Sequence, residues 1–169
     1  AAFRVKQAGF DGVQLHAAHG DLIHQFILPS INTRQDQYGV DQELNIGTRF
    51  LQLVVGKVRQ LCGNDFPIFI KISGSDDYRK SFTGDQFVSL IKFLDILKVD
   101  AIEVSYGTMD YALNVFRGKS IPEDFVLKYN LKYKTNNKFL QSFYKVVIFE
   151  LAKLKFKKFE QKYNLKFAK

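Results

Sequence analysis

An alternation constrains this chain more than any other feature. Short, mostly apolar runs recur: Gly12-Val13-Gln14-Leu15, Pro67-Ile68-Phe69-Ile70-Lys71-Ile72 and Ala101-Ile102-Glu103-Val104-Ser105. Between them lie longer stretches with apolar residues every three or four positions. One holds Phe50, Leu51, Leu53, Val54, Val58 and Leu61; the other holds Phe87, Leu90, Ile91, Leu94 and Leu97. Strands of this kind separated by helices predict a parallel sheet, because parallel neighbours need a crossover long enough to hold a helix. The last two runs begin about 34 residues apart, close to the ~31 residues per βα unit of an eight-fold barrel. An open doubly wound sheet also accommodates three strands, but no G-x-G-x-x-G turn is present to favour a dinucleotide fold.

Punctuation residues sharpen the pattern. Phe3 to Ala8 reads as a helix with Gly9 as its cap, and Asp21 to Leu28 as a short helical stretch. Pro29 to about Asn45 reads as a long loop, and Gly63 ends the helix that follows. Thr83 is a good N-cap for the next helix. Beyond Ser105 the alternation stops: Gly107 to about Pro122 reads as loop, and no further strand is evident. Phe139, Phe143, Val146, Val147, Leu151 and Leu154 then form one helical stripe. The expected fold class is α/β, a partial (β/α)8 barrel of about three βα units over residues 1–110. A mostly helical, basic and aromatic segment follows over residues 111–169.

Composition excludes several classes. A length of 169 residues with 46% hydrophobic residues suits a packed domain rather than a disordered chain. One cysteine, Cys62, rules out an internal disulfide and a Cys-rich zinc site. No apolar run reaches the ~18 residues of a membrane span. The lone cysteine and an N-terminus that turns polar at once point to a cytoplasmic setting, and the absent initiator Met points to a fragment. Charge is uneven: residues 1–116 hold 11 Lys+Arg and 13 Asp+Glu, whereas residues 117–169 hold 14 and 4. Lysines interleaved with aromatics, as in Phe156-Lys157-Lys158-Phe159, are read as the solvated face of an amphipathic helix rather than as a nucleic-acid surface.

Reactive side chains in parallel α/β folds gather where strands meet their following loops. The first strand ends in Leu15-His16-Ala17-Ala18-His19-Gly20-Asp21. Two imidazoles three residues apart at such a point can converge on one small polar ligand and donate to a carbonyl oxygen or oxyanion. A structural histidine at a helix start, or half of a metal site, remain the alternatives; His-x-x-His alone is too few ligands for zinc. Lys71 sits between Ile70 and Ile72, so its charge needs a partner. That partner is a ligand or Glu103 on the next strand, or the lysine reaches the barrel rim.

Several of these segments together resemble the old yellow enzyme family. Ala8-Gly9-Phe10-Asp11-Gly12-Val13-Gln14-Leu15-His16-Ala17-Ala18-His19-Gly20 is similar to that family's fourth barrel strand. Gln25-Phe26, Pro29, Asn32, Arg34, Asp36 and Tyr38-Gly39 follow its long loop. Asp65-Phe66-Pro67 through Lys71-Ile72-Ser73 resembles the fifth strand, and Asp100 through Ser105 the sixth. The tail resembles a loop insertion ahead of the seventh strand. The resemblance implies an FMN-dependent oxidoreductase on a (β/α)8 barrel, with NADH or NADPH as reductant and a small-molecule substrate; oligomerisation stays open. It implies that His16 and His19 hold the substrate's carbonyl or nitro oxygen above the flavin, polarising a conjugated C=C bond for hydride transfer. It places Lys71 beside the pyrimidine side of the flavin, where a cation stabilises the reduced ring.

Three departures follow. Asp21 stands where the family has a tyrosine that protonates the α-carbon, and a carboxylate of ordinary pKa near ~4 is a poor acid at neutral pH. The stretch Val40 to Phe50 is about two residues longer than the family's, and lacks its second Gly and its Asn-Arg pair. The chain corresponds to about three-eighths of a barrel, without the strands that bind the FMN phosphate, so weak flavin binding by the isolated chain is expected. The alternative reading is a catalytically inactive, truncated relative whose basic tail serves binding.

Overall fold

A computed structural model describes residues 1–76, 82–109, 123–129 and 134–153. These fall into two compact units, one drawn from residues 1–110 and one from residues 111–163.

In the first unit the chain starts with helix α1, Ala2–Gln7. Gly9 then takes φ 84°, a left-handed turn that glycine adopts at little cost. Strand β1 (Val13–Ala17) and helix α2 (Leu22–Ile27) follow, then a small antiparallel hairpin, β2 (Val40–Asp41) and β3 (Ile46–Gly47). Helix α3 spans Arg49–Cys62, strand β4 Ile68–Ser73, helix α4 Gly84–Ile96 and strand β5 Ala101–Ser105. β1, β4 and β5 form one sheet in that order, and both pairings are parallel. The sequence reading of an α/β chain with a three-stranded parallel sheet holds.

One face of that sheet carries the core. Ile68, Ile70 and Ile72 are wholly buried, packed with Leu51, Val55, Val58 and Cys62 of α3 and Leu90, Phe93 and Leu94 of α4. Each fully buried Ile contributes on the order of 1.5–3 kcal/mol. The α3 stripe differs from the sequence expectation. Its buried residues are four, three and four apart, the helical repeat, whereas Leu53 and Leu61 fall off that stripe and are each 48% exposed. α4 starts as expected: the Thr83 hydroxyl accepts from Gln86 N, and the Gln86 side chain accepts from Thr83 N, a capping box. The other sheet face is open, with Phe69 46% exposed. Among the described residues helices cover the sheet on one side, and the open side carries mostly polar side chains around Phe69.

The Pro29–Asn45 loop contains structure the sequence did not signal. The Asn32 amide donates to the Phe26 and Tyr38 carbonyls, both at 2.8 Å, and closes the loop on itself. Phe26 stacks on Phe50 at 4.3 Å. Gly47 in β3 lies against the Phe26 carbonyl so closely that a side-chain carbon there would collide with it. The stretch from Val40 on, read as longer than the family's, begins with the small hairpin of β2 and β3.

The second unit contains helices Glu123–Tyr129 and Lys138–Phe143. The latter continues through a π-helical stretch, Tyr144–Phe149, into Glu150–Lys153. Asn137 caps it, its side-chain oxygen accepting from Phe139 N and Leu140 N. The expected apolar stripe forms a helix but is not buried: Phe139, Phe143, Val146, Val147 and Leu151 are all exposed, and Phe149 is buried instead. Leu154 and the Phe156–Phe159 motif lie outside the described residues. Among the described residues no helix is long and apolar enough to cross a membrane.

Candidate active site

The register assembles the site. His16 pairs with Lys71 across β1 and β4, and Lys71 pairs with Glu103 across β4 and β5. Because parallel neighbours in register point to the same side, these three side chains share the open face. Gln14 lies two residues earlier on β1 and therefore on the same face. Its amide reaches across β4 to Glu103 at 2.7 Å, and the Lys71 ammonium meets the other Glu103 oxygen at 2.8 Å. The sequence left Lys71 with two partners, a ligand or Glu103; the structure shows Glu103. Lys71 and Gln14 together hold the Glu103 carboxyl below its ordinary range.

β1 ends at Ala17, and the chain then bends through two left-handed residues, His19 (φ 60°) and Gly20 (φ 83°). The bend carries the His19 ring to within 5.5 Å of the His16 ring. His16 Nε2 meets the Asp21 carboxylate at 2.7 Å, and His19 Nε2 meets Ser105 Oγ at 2.9 Å. His19 Nδ1 is buried without a well-formed hydrogen bond, although the nearby Gly107 backbone favours its protonation. Burial outweighs that effect and, with the Lys71 and His16 charges, lowers the pKa of His19, so its ring is neutral at pH 7. A neutral imidazole offers one N–H donor and one acceptor.

Sequence reasoning placed His16, His19 and Lys71 together, and the geometry does so as well. It set Asp21 at the position of the family's proton donor, as a poor acid; the structure puts Asp21 on His16. Four further participants were missed. Ser73 Oγ accepts from His19 N at 3.1 Å, and Ser105 Oγ holds the His19 ring. Gln14 binds Glu103 as above. His24 lies beneath the bend, its Nδ1 accepting from Gly20 N at 2.9 Å. For the strand residues a signal was available: Gln14 and Ser73 sit two residues from His16 and Lys71, hence on the same face. Among the described residues no cluster of three or more His, Cys, Asp or Glu is arranged to hold a metal.

Comparisons with known proteins show the family. The model of the NADH:flavin oxidoreductase / NADH oxidase family matches residues 1–153. The chain belongs to that family. FMN is the family's cofactor, with NADH or NADPH as reductant. NADPH dehydrogenase of Bacillus subtilis is 38% identical over 122 residues, 72% of this chain and 35% of that protein. NADPH dehydrogenase of Clostridium acetobutylicum is 37% identical over 131 residues, 76% of this chain and 38% of that protein. The chain therefore spans about a third of the length of these relatives. Among solved structures, the old yellow enzyme homologue from Zymomonas mobilis superposes with a TM-score of 0.54 at 30% identity, over 64% of this chain and 31% of that one. Morphinone reductase in complex with tetrahydroNAD gives 0.52 at 28% identity, over 62% and 29%.

The open face offers a donor set that fits one edge of a flavin. Lys71 and Gln14 present N–H donors beside the half-exposed ring of Phe69, a polar and apolar combination matched to a flat heterocycle with carbonyl oxygens on one side. Both donors are held by Glu103. The fit covers the ring's polar edge alone.

Proposed function

We propose that this chain is part of a (β/α)8 barrel enzyme, an FMN-dependent NAD(P)H oxidoreductase that reduces activated C=C bonds of small molecules in the cytoplasm. In this reading residues 1–110 are the barrel segment and residues 111–169 an insertion. The observation that carries it is the pair of imidazoles 5.5 Å apart at the C-terminal end of β1, on the side of the sheet that Lys71 also faces. Bound FMN, once reduced by NADH or NADPH, supplies the hydride. His16 and His19 donate hydrogen bonds to the substrate's carbonyl or nitro oxygen and draw electron density from the conjugated bond. Lys71 offers positive charge at the flavin's pyrimidine edge. Asp21 accepts from His16 rather than standing free as an acid, so the proton for the α-carbon comes from solvent. The competing reading, a catalytically inactive relative with a binding tail, is favoured by one observation: Asp21 and Ser105 already occupy both imidazole Nε2 atoms.

A hybrid decides between them. Residues of this chain replace the stretch they match in Bacillus subtilis NADPH dehydrogenase. The expected hybrid is yellow and oxidises NADPH in the presence of an enone. Its His16→Ala/His19→Ala double variant stays yellow and loses about 10²-fold or more in enone turnover. A yellow hybrid whose enone turnover ignores both histidines refutes the assignment, and a colourless folded hybrid favours the inactive relative.

A further inference from the structure

The bend after β1 has an unusual shape for its composition. His19 is a non-glycine residue at φ 60°, and Gly20 follows at φ 83°. A left-handed non-glycine residue is uncommon and persists only where its surroundings hold it. All four backbone groups of these two residues are engaged. His19 N donates to Ser73 Oγ at 3.1 Å, and the His19 carbonyl accepts from Met109 N at 2.8 Å. Gly20 N donates to His24 Nδ1 at 2.9 Å, and the Gly20 carbonyl accepts from Gln25 Nε2 at 2.6 Å. Ser73 at the end of β4 and Met109 in the segment after β5 thus clamp His19, while two adjacent residues of α2 clamp Gly20.

We infer that His24 is a positioning residue for the His16/His19 pair: its Nδ1 lone pair fixes the Gly20 peptide, and through it the direction of the His19 ring and the reach of Asp21 to His16. This rests on the functional reading above for what the pair binds, but not for how the pair is held. His24 is 1% exposed, so no water competes easily for its acceptor. Burial, with the His19 and His16 charges, lowers its pKa to about 4, so the ring is neutral and Nδ1 keeps its lone pair at pH 7. Gly20 is followed directly by Asp21, whose carboxylate lies 2.7 Å from His16 Nε2. A rotation of the Gly20 peptide therefore moves both Nε2 partnerships at once. A mere core histidine would need only its volume; a positioning histidine needs an acceptor at the Nδ1 place.

The test uses the full 169-residue chain and NMR. In the wild type, long-range ¹H–¹⁵N correlation is expected to show His24 as the Nε2–H tautomer; the Nδ1–H tautomer overturns the inference without any substitution, because Nδ1 could not then accept. His24→Leu keeps bulk and removes the acceptor, and His24→Asn returns an acceptor near the Nδ1 position. Leu is expected to lower hydrogen-exchange protection at Gly20 by about tenfold or more and to shift the His16 and His19 ring signals, and Asn to restore both. Unmoved Gly20 and His19 signals in a folded Leu variant overturn the inference, as does an Asn variant that behaves like Leu. In the hybrid, His24→Leu is expected to raise the enone KM about tenfold while the flavin stays bound. Displaced ring signals with an unmoved KM uphold the placement by His24 and count against the functional reading instead.

Discussion

Ile68, Ile70 and Ile72 alternate along β4 with Phe69 and Lys71, and the two sets live in different worlds. The isoleucines are wholly buried beneath α3 and α4, whereas Phe69 is 46% exposed on the open side with Gln14, His16, Lys71 and Glu103. One pleated strand thus serves two ends. Its covered side binds the unit together through apolar area removed from water. Its open side carries charges and donors that satisfy one another, at little gain to the fold. Stability and chemistry are separated by a single-residue step.

The sharpest way to break this comparison is a pair of truncations. Ile70→Ala is expected to cost about 2–5 kcal/mol in urea unfolding, and Phe69→Ala less than about 1 kcal/mol, because its ring is already half solvated. Equal losses would show the open face to be covered after all. Next in size is a pH effect from beneath the bend. His24 titrates near its ordinary 6.5 when unfolded and at about 4 when folded, so only the unfolded chain gains a proton between those values. Stability is therefore full above about pH 6.5 and falls as pH drops toward 4, by on the order of 3 kcal/mol. His19, also lowered, adds loss of the same sign, so a His24→Asn variant isolates the His24 share as the part of the slope that disappears. Smallest is the charge network. Glu103→Gln is expected to change stability by less than about 1 kcal/mol at neutral pH, and still less in high salt, since the carboxylate is half exposed. The folded Glu103 pKa lies below its usual 4.5, so whatever it contributes is present above that value and is lost only as pH falls through the lower one.

Legibility followed the range of the interactions. β5 is found at its expected residues and β4 within one, because each is a short apolar run. α4 begins where Thr83 says it should, because an N-cap is a local interaction, here completed by Gln86 as a capping box. The 40–47 hairpin was invisible, since two-residue strands have no period and the Asn32 contacts that close the loop are with carbonyls. The stripe over residues 139–151 does form a helix, but its spacing could not say that the apolar side chains stay exposed, since that depends on what packs against it.

The sequence alone determined that strands and helices alternate, that His16 and His19 sit at a strand end, and that Lys71 needs a partner. Those are consequences of local periodicity and of the cost of burying charge. Only the tertiary structure decided that Lys71 and Gln14 share Glu103, that Asp21 takes His16, and that His24 holds the Gly20 peptide. The first two depend on strand register and a left-handed bend, which bring together residues up to 89 positions apart. The third depends on a buried lone pair, and neither register nor burial is written in any short stretch of chain.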